Sequence, residues 1–421
     1  MRVLHVIDPG SPGGGACTLQ LLSEPLARLT SVDQHVLLIG TDRHDALARR
    51  CGVEPTGRIT APSNEPILAG FAGQAFREFL ATYEAAFGSY DIIHTWTARS
   101  TLLTTAVAPR RKRIATLSVG PVNGIVMHAL AALIDKRPAV LLATSVAVKR
   151  DYLVMGIGEQ HLDILPPAVH PEAVEEHAPD RETVRERWGV PDDMFMIGLL
   201  AEPVSWCDAR QAMHLIAIAA DSGRNVGLVV HPAAQRWVDA LHYARKLDLE
   251  SRLIPEDQLA EPWRCVNGLD AALLLSDESN VIDLAESGNA FSILTGGGRA
   301  LRPMPGVMPA LWAMSAGVPV VADRSLAMQE VVDDEGTGLL VPQRDVSAAV
   351  HQIIRLYDDP DLRRRIAQAA RARIHAQFHV SAYCVRLKEL YERLLEGRVT
   401  RVVSEAGEAV IERRRYAQFR R

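Results

Sequence analysis

Short apolar runs without strict alternation recur along the first half of the chain, each closed by Gly, Pro or polar residues: Val3–Ile7, His35–Ile39, Asp91–His94, Arg113–Leu117, Val140–Ala143 and Leu162–Leu165. Such runs predict strands buried on both faces, as in a parallel sheet covered by helices. Between them the spacing turns helical, as over Cys17–Leu29 and Phe76–Phe87, so strand and helix alternate. The prediction is a doubly wound α/β half. A polar, proline-bearing stretch from Pro166-Pro167 to Pro179 reads as a linker, followed by a helix at Arg181–Trp188. A second series of runs then appears at Met194–Leu200, Asn225–Val230, Asp270–Leu275, Val318–Ala322 and Gly338–Val341. From Ser347 to Leu395 the periodicity is helical, with long amphipathic helices at Asp361–Gln377 and Val380–Leu395. Two Rossmann-like halves facing a cleft are expected, with ligands at the carboxyl ends of their strands.

Composition narrows the partners. The chain has 421 residues, 48% hydrophobic and 23% charged, with a net charge of −5. That balance gives no general attraction for nucleic acid or anionic lipid. The five cysteines are scattered and never form a Cys-x-x-Cys pair, which fits free thiols in a reducing compartment. The apolar run after Met1 meets Pro9-Gly10 too soon for a signal peptide, and no stretch is long enough to span a membrane. A cytoplasmic protein is expected. The tail after Gly397 carries seven arginines and three glutamates, which reads either as a solvated end or as a weak peripheral membrane contact.

The first candidate for chemistry is the turn Pro9-Gly-Ser-Pro-Gly-Gly-Gly15-Ala after the first strand. Glycines there let backbone approach a ligand, and the helix that follows offers free N–H groups to an anion. The turn lacks the Gly-x-Gly-x-x-Gly spacing of a dinucleotide fold, so a nicotinamide dehydrogenase is disfavoured. The fourteen histidines are read as offering no metal-ligand spacing, and neither a metal nor a cofactor is expected.

The segment Ala313-Met-Ser-Ala-Gly-Val-Pro-Val-Val-Ala322, with Glu330-Val-Val and Gly336-Thr-Gly-Leu-Leu-Val-Pro342 after it, resembles the group 1 glycosyltransferases of family 4. His5-Val-Ile, Gly13-Gly-Gly15-Ala, Asp91-Ile-Ile-His94, Ala143-Thr-Ser145, Phe378 and Leu390-Tyr391 extend the likeness over nearly the whole length. The resemblance implies a GT-B fold. Residues 1–172 would form the acceptor-side half and 173–378 the donor-side half. A helix over 379–397 would cross back to the first half, and 398–421 would be the basic tail. Donor contacts are expected at Gly13, Gly14, Gly15, Gly306 and Glu330, with acceptor-side residues at His94 and Ser118, and Arg299 and Arg302 are read as further donor contacts from their own Gly-rich setting.

Several family positions are altered. The two carboxylates that members direct at the donor fall, counting back from Gly317, on Met304 and Trp312. The Arg and Lys that neutralise the donor diphosphate fall, counting on from Gly198, on Glu202 and Cys207. Ser118 stands at the usual acceptor-side His, and Pro167-Ala-Val-His170 replaces an Asn-Gly-Val-Asp run. An inserted stretch with Gly296-Gly-Gly-Arg299 and Leu301-Arg302-Pro303 reads either as an Arg-bearing surface loop or as a glycine nest whose arginines clamp a diphosphate. Trp312 reads as core or as a base-stacking residue, and His94 with Trp96 as cleft-facing or structural.

The expected function is transfer of a sugar, with retention, from a nucleotide-sugar to an unknown glycan or lipid-linked acceptor. The alternative is an inactive pseudo-transferase that binds a glycan, a nucleotide or a partner protein. An epimerase or phosphorylase on the same fold would need the same missing donor contacts.

Overall fold

The apolar runs of the first half pair as seven parallel strands, β1 (Arg2–Ile7), β2 (Asp33–Gly40), β3 (Gly57–Thr60), β4 (Ile92–Thr95), β5 (Lys112–Leu117), β6 (Ala139–Ala143) and β7 (Leu162–Ile164), in the order β3-β2-β1-β4-β5-β6-β7. The computed structural model describes residues 1–10, 14–60, 69–108, 112–117, 134, 139–154, 156–202, 204–275, 281–283, 299–301 and 306–396. At 69–72, 175, 177, 206, 281–283 and 299–301 it describes the backbone alone. The expectations for Gly13, Ser118, Arg302, Met304 and the tail fall outside these residues.

The second half builds a six-stranded parallel sheet from β8 (Phe195–Leu199), β9 (Val226–Val230), β10 (Leu253–Pro255), β11 (Ala271–Leu274), β14 (Val320–Asp323) and β15 (Leu339–Val341), in the order β10-β9-β8-β11-β14-β15. Between β11 and β14, β12 (Val281–Asp283) and β13 (Arg299–Leu301) pair antiparallel. Side chains on both faces of the central strands are buried, as the unbroken apolar runs require. The edge strands β3 (Gly-Arg-Ile-Thr) and β10 (Leu-Ile-Pro) and the β12–β13 pair were absent from the sequence expectation, because these short segments carry no unbroken apolar run like those of the other strands.

After β7 the chain passes into the second sheet beside the point where it later returns. Val169 N–H donates to the Phe378 carbonyl at 2.9 Å, and Val380 N–H to the Val169 carbonyl at 3.1 Å. The Val380–Leu395 helix then lies back against the first sheet, where Lys112 Nζ donates to the Leu395 carbonyl at 2.6 Å. One apolar core is continuous from Leu19 and Leu22 through Trp188 and Met196 to Leu387 and Tyr391. Among the described residues, no helix is long and apolar enough to cross a membrane.

Candidate functional site

In a doubly wound sheet, the crevice for a ligand opens where neighbouring strands send their connections to opposite faces. In the first sheet that point lies between β1 and β4, and in the second between β8 and β11. Gly14 lies at the first point, against Asp8 after β1 and Thr97 after β4. A Cβ on Gly14 would overlap the Asp8 carbonyl and stand 3.0 Å from the Thr97 methyl, so only glycine fits. Gly15 is the N-cap of the Ala16–Arg28 helix and has no side chain with which to cap it.

The chain leaving β8 delivers Glu202 from the second sheet into this gap. A Cβ on Gly15 would lie 3.3 Å from Glu202 Oε1, and one on Gly306 3.4 Å from Glu202 Oε2. Gly306 N–H also donates to the Glu202 carbonyl at 3.2 Å. The two crevices therefore face one another, with the Glu202 carboxyl between them. It is 6% exposed, and its Oε1 has no hydrogen-bond partner among the described residues. Burial pushes its pKa up to about 7, against the opposing pull of the Thr18 N–H and of the Cys17 thiol and N–H at the helix N-terminus.

A second carboxylate crosses the same junction. Val146 N–H donates to Glu330 Oε2 at 2.9 Å and Ala147 N–H to Glu330 Oε1 at 3.2 Å, at the start of the Val146–Val154 helix. Ser145 Oγ accepts from Val148 N–H at 3.0 Å, so this N-terminus has its own cap as well. The resemblance places Glu330 among the donor contacts. Here both its oxygens lie on backbone N–H groups of the opposite half, so it acts as an interdomain cap.

His94 also departs from expectation. It is fully buried, with Nδ1 2.6 Å from the Tyr391 hydroxyl and Nε2 2.8 Å from Thr116 Oγ1. Its ring stacks on Trp96, whose Nε1 donates to His5 Nδ1 at 3.1 Å. Burial, reinforced by the neighbouring His5, holds the His94 pKa well below 6.5. Burial likewise brings His5 down to about 4, against the hydrogen bond that its Nε2–H donates to Gln34 Oε1. This neutral pair fastens the returning helix to the first sheet, and His94 does not reach the cleft.

Comparison with known proteins finds a family match within the second half. Residues 306–373 match the family model described as glycosyl transferases group 1. The whole chain resembles solved glycosyltransferase structures. A glycosyltransferase from Rickettsia africae is 16% identical, with a TM-score of 0.67, covering 94% of this chain and 98% of that one. Anabaena HepE in complex with UDP and glucose is 16% identical, with a TM-score of 0.69, covering 93% and 99%. Sucrose-phosphate synthase from Thermosynechococcus elongatus is 16% identical, with a TM-score of 0.67, covering 94% and 100%. At such identities the likeness establishes the fold, which is GT-B. No curated protein matches the chain in sequence.

The group 1 segment opens at Gly306, beside Glu202, and its first helix, Met308–Ser315, is buried throughout. Trp312 is 1% exposed, with its ring 5.1 Å from that of Trp263 and no hydrogen-bond partner for Nε1. It is a core residue and presents no face to a base. Arg299 begins β13, whose backbone pairs antiparallel with β12 opposite Asp283.

One spacing escaped the sequence reading: His375 and His379 stand four residues apart and approach Glu172. His379 Nδ1 accepts from Ser381 N–H at 3.2 Å, which leaves the proton on Nε2, 3.2 Å from Glu172 Oε1. His170 lies 3.4 Å from Glu172 Oε2 and 3.3 Å from Glu24 Oε1. With the His379 lone pair engaged in capping, the cluster works as a polar clasp at the double crossing between the halves.

Proposed function

We propose that the protein transfers a sugar from a UDP-sugar to an acceptor, with retention. The observation that carries this reading is the meeting of the two crevices at Gly14, Gly15, Gly306 and Glu202, with the group 1 segment beginning at that point. The Anabaena relative's complex with UDP and glucose supports the choice of nucleotide. The donor phosphates would lie at the N-terminus of the Ala16–Arg28 helix, in place of the Glu202 carboxyl, where the backbone N–H groups and dipole stabilise negative charge growing on a leaving nucleotide. Arg299 and Arg302, in the inserted stretch, would supply countercharge. The acceptor would be a glycan or a lipid-linked sugar.

Incubation with a panel of UDP-sugars, following UDP release and the anomeric configuration of the first sugar product by NMR, tests this. UDP release from at least one donor, with the donor's configuration kept, is the expected outcome. A UDP-sugar that raises the melting temperature without releasing UDP would assign a binding protein instead, a role favoured by Trp312 lying in the core where a donor carboxylate is usual. No effect of any UDP-sugar on melting or turnover would overturn both.

A further inference from the structure

The Ala16–Arg28 helix presents an N-terminus without a side-chain cap to the cleft, and the group placed there is a carboxylate from the opposite half. Glu202 is more than nine-tenths buried, and one of its oxygens faces Gly15 without a hydrogen-bond partner. A helix N-terminus favours an anion, but a carboxylate needs both oxygens served to be settled there. Here one is served and one is not.

We propose that Glu202 is a specificity-determining residue that competes with the phosphates of the ligand for the N-terminus of the Ala16–Arg28 helix. This rests on the proposed nucleotide-sugar reading and adds a selectivity to it. A ligand carrying negative charge at that point must displace the Glu202 side chain or meet it protonated, whereas the nucleoside part binds irrespective of it. Like charges brought together in a buried site cost several kcal/mol unless one is neutralised, so the penalty falls on the phosphates alone.

The titratable groups around Glu202 sharpen the pH dependence. The Cys17 thiol faces it from the same helix, the Cys51 thiol lies near, and Glu261 with Arg50 and Arg264 stands beyond Cys51. Burial holds both thiols protonated through the neutral range. Glu202 is then the group whose charge changes between mildly acid and mildly alkaline solution.

The test is isothermal titration of the full chain with UDP and with uridine, at pH 8 and pH 5.5, for wild type, Glu202→Gln and Glu202→Ala. The glutamine variant removes charge at nearly constant volume, the alanine variant removes charge and bulk, and thermal melts verify that both fold. At pH 8, UDP is expected to bind at least about tenfold tighter to a variant than to wild type, and uridine to bind all three within about twofold. At pH 5.5 the difference in UDP affinity should shrink, because wild-type Glu202 then carries a proton. Equal UDP affinity of wild type and both variants at pH 8, with uridine still bound, overturns the inference and leaves the proposed function standing. Binding of neither UDP nor uridine to any of the three overturns the proposed function and this inference with it.

Discussion

Two helices of the first half receive a carboxylate from the second, and they receive it differently. At the Val146–Val154 helix, Glu330 meets two N–H groups at 2.9 and 3.2 Å, on a helix that Ser145 already caps. At the Ala16–Arg28 helix, Glu202 meets an N-terminus without a side-chain cap, is more deeply buried, and keeps one oxygen unpartnered. The same device is complete in one place and incomplete in the other. Complete capping adds stability and fixes the two halves against each other. Incomplete capping at a crevice leaves room for another anion, at a cost to the folded protein that pH controls.

The largest expected effect follows from that cost. Glu202 is pushed up to about 7 in the folded chain, against an ordinary carboxyl value of 4.5, so its contribution to stability is lost as pH rises from 4.5 through 7. Glu202→Gln should therefore stabilise the protein by about 3 kcal/mol at pH 8 and by little at pH 4.5, read by urea denaturation at both values. His5 runs the other way. Its pKa is lowered to about 4, so the unfolded chain takes up the proton first and stability falls as pH drops from 6.5 to 4. His94, also held well below 6.5, adds to the His5 slope; these oppose the Glu202 slope in wild type, and the glutamine variant should show the histidine slope without the Glu202 one. A wild type and variant with parallel pH profiles would remove the distinction between the two caps.

Glu330→Ala should cost about 1–2 kcal/mol at any pH near neutrality, with faster amide exchange at Val146 and Ala147 as the local signature. If exchange at those amides is unchanged, Glu330 is not the cap it appears in the geometry. Ser145→Ala should cost about 1 kcal/mol, the smallest of these effects, since Glu330 would still hold the two N–H groups ahead of it. A loss in Ser145→Ala larger than in Glu330→Ala would reverse the order of the two contributions.

Much of the fold was legible because buried parallel strands leave unbroken apolar runs, and those of β1, β2, β5, β6, β8 and β9 stand out in the sequence. The site was legible in part. Counting from Gly198 marked Glu202 as an acid where a base is usual, yet nothing local shows that it lies against Gly15, far away in the chain. His94 at a strand end looks the same whether it faces a cleft or a core. What decides is Tyr391, 297 residues later. Glu330 matched the spacing expected of a donor contact, while its partners, Val146 and Ala147, belong to the opposite half. In each case the missing information was a contact between halves, which periodicity within one element does not record.

The adjacency of Val169 to Phe378 and Val380 also bears on how the protein is made. The chain enters and leaves its second half at neighbouring backbone positions, so that half is a large loop tied at its base. A loop tied in this way costs little more entropy for its length, because closure grows only with the logarithm of the number of residues. The order of synthesis is less forgiving. The first sheet leaves the ribosome early, but the hydroxyl that pairs with His94 arrives 297 residues later, so the first domain to be made is the last to be finished.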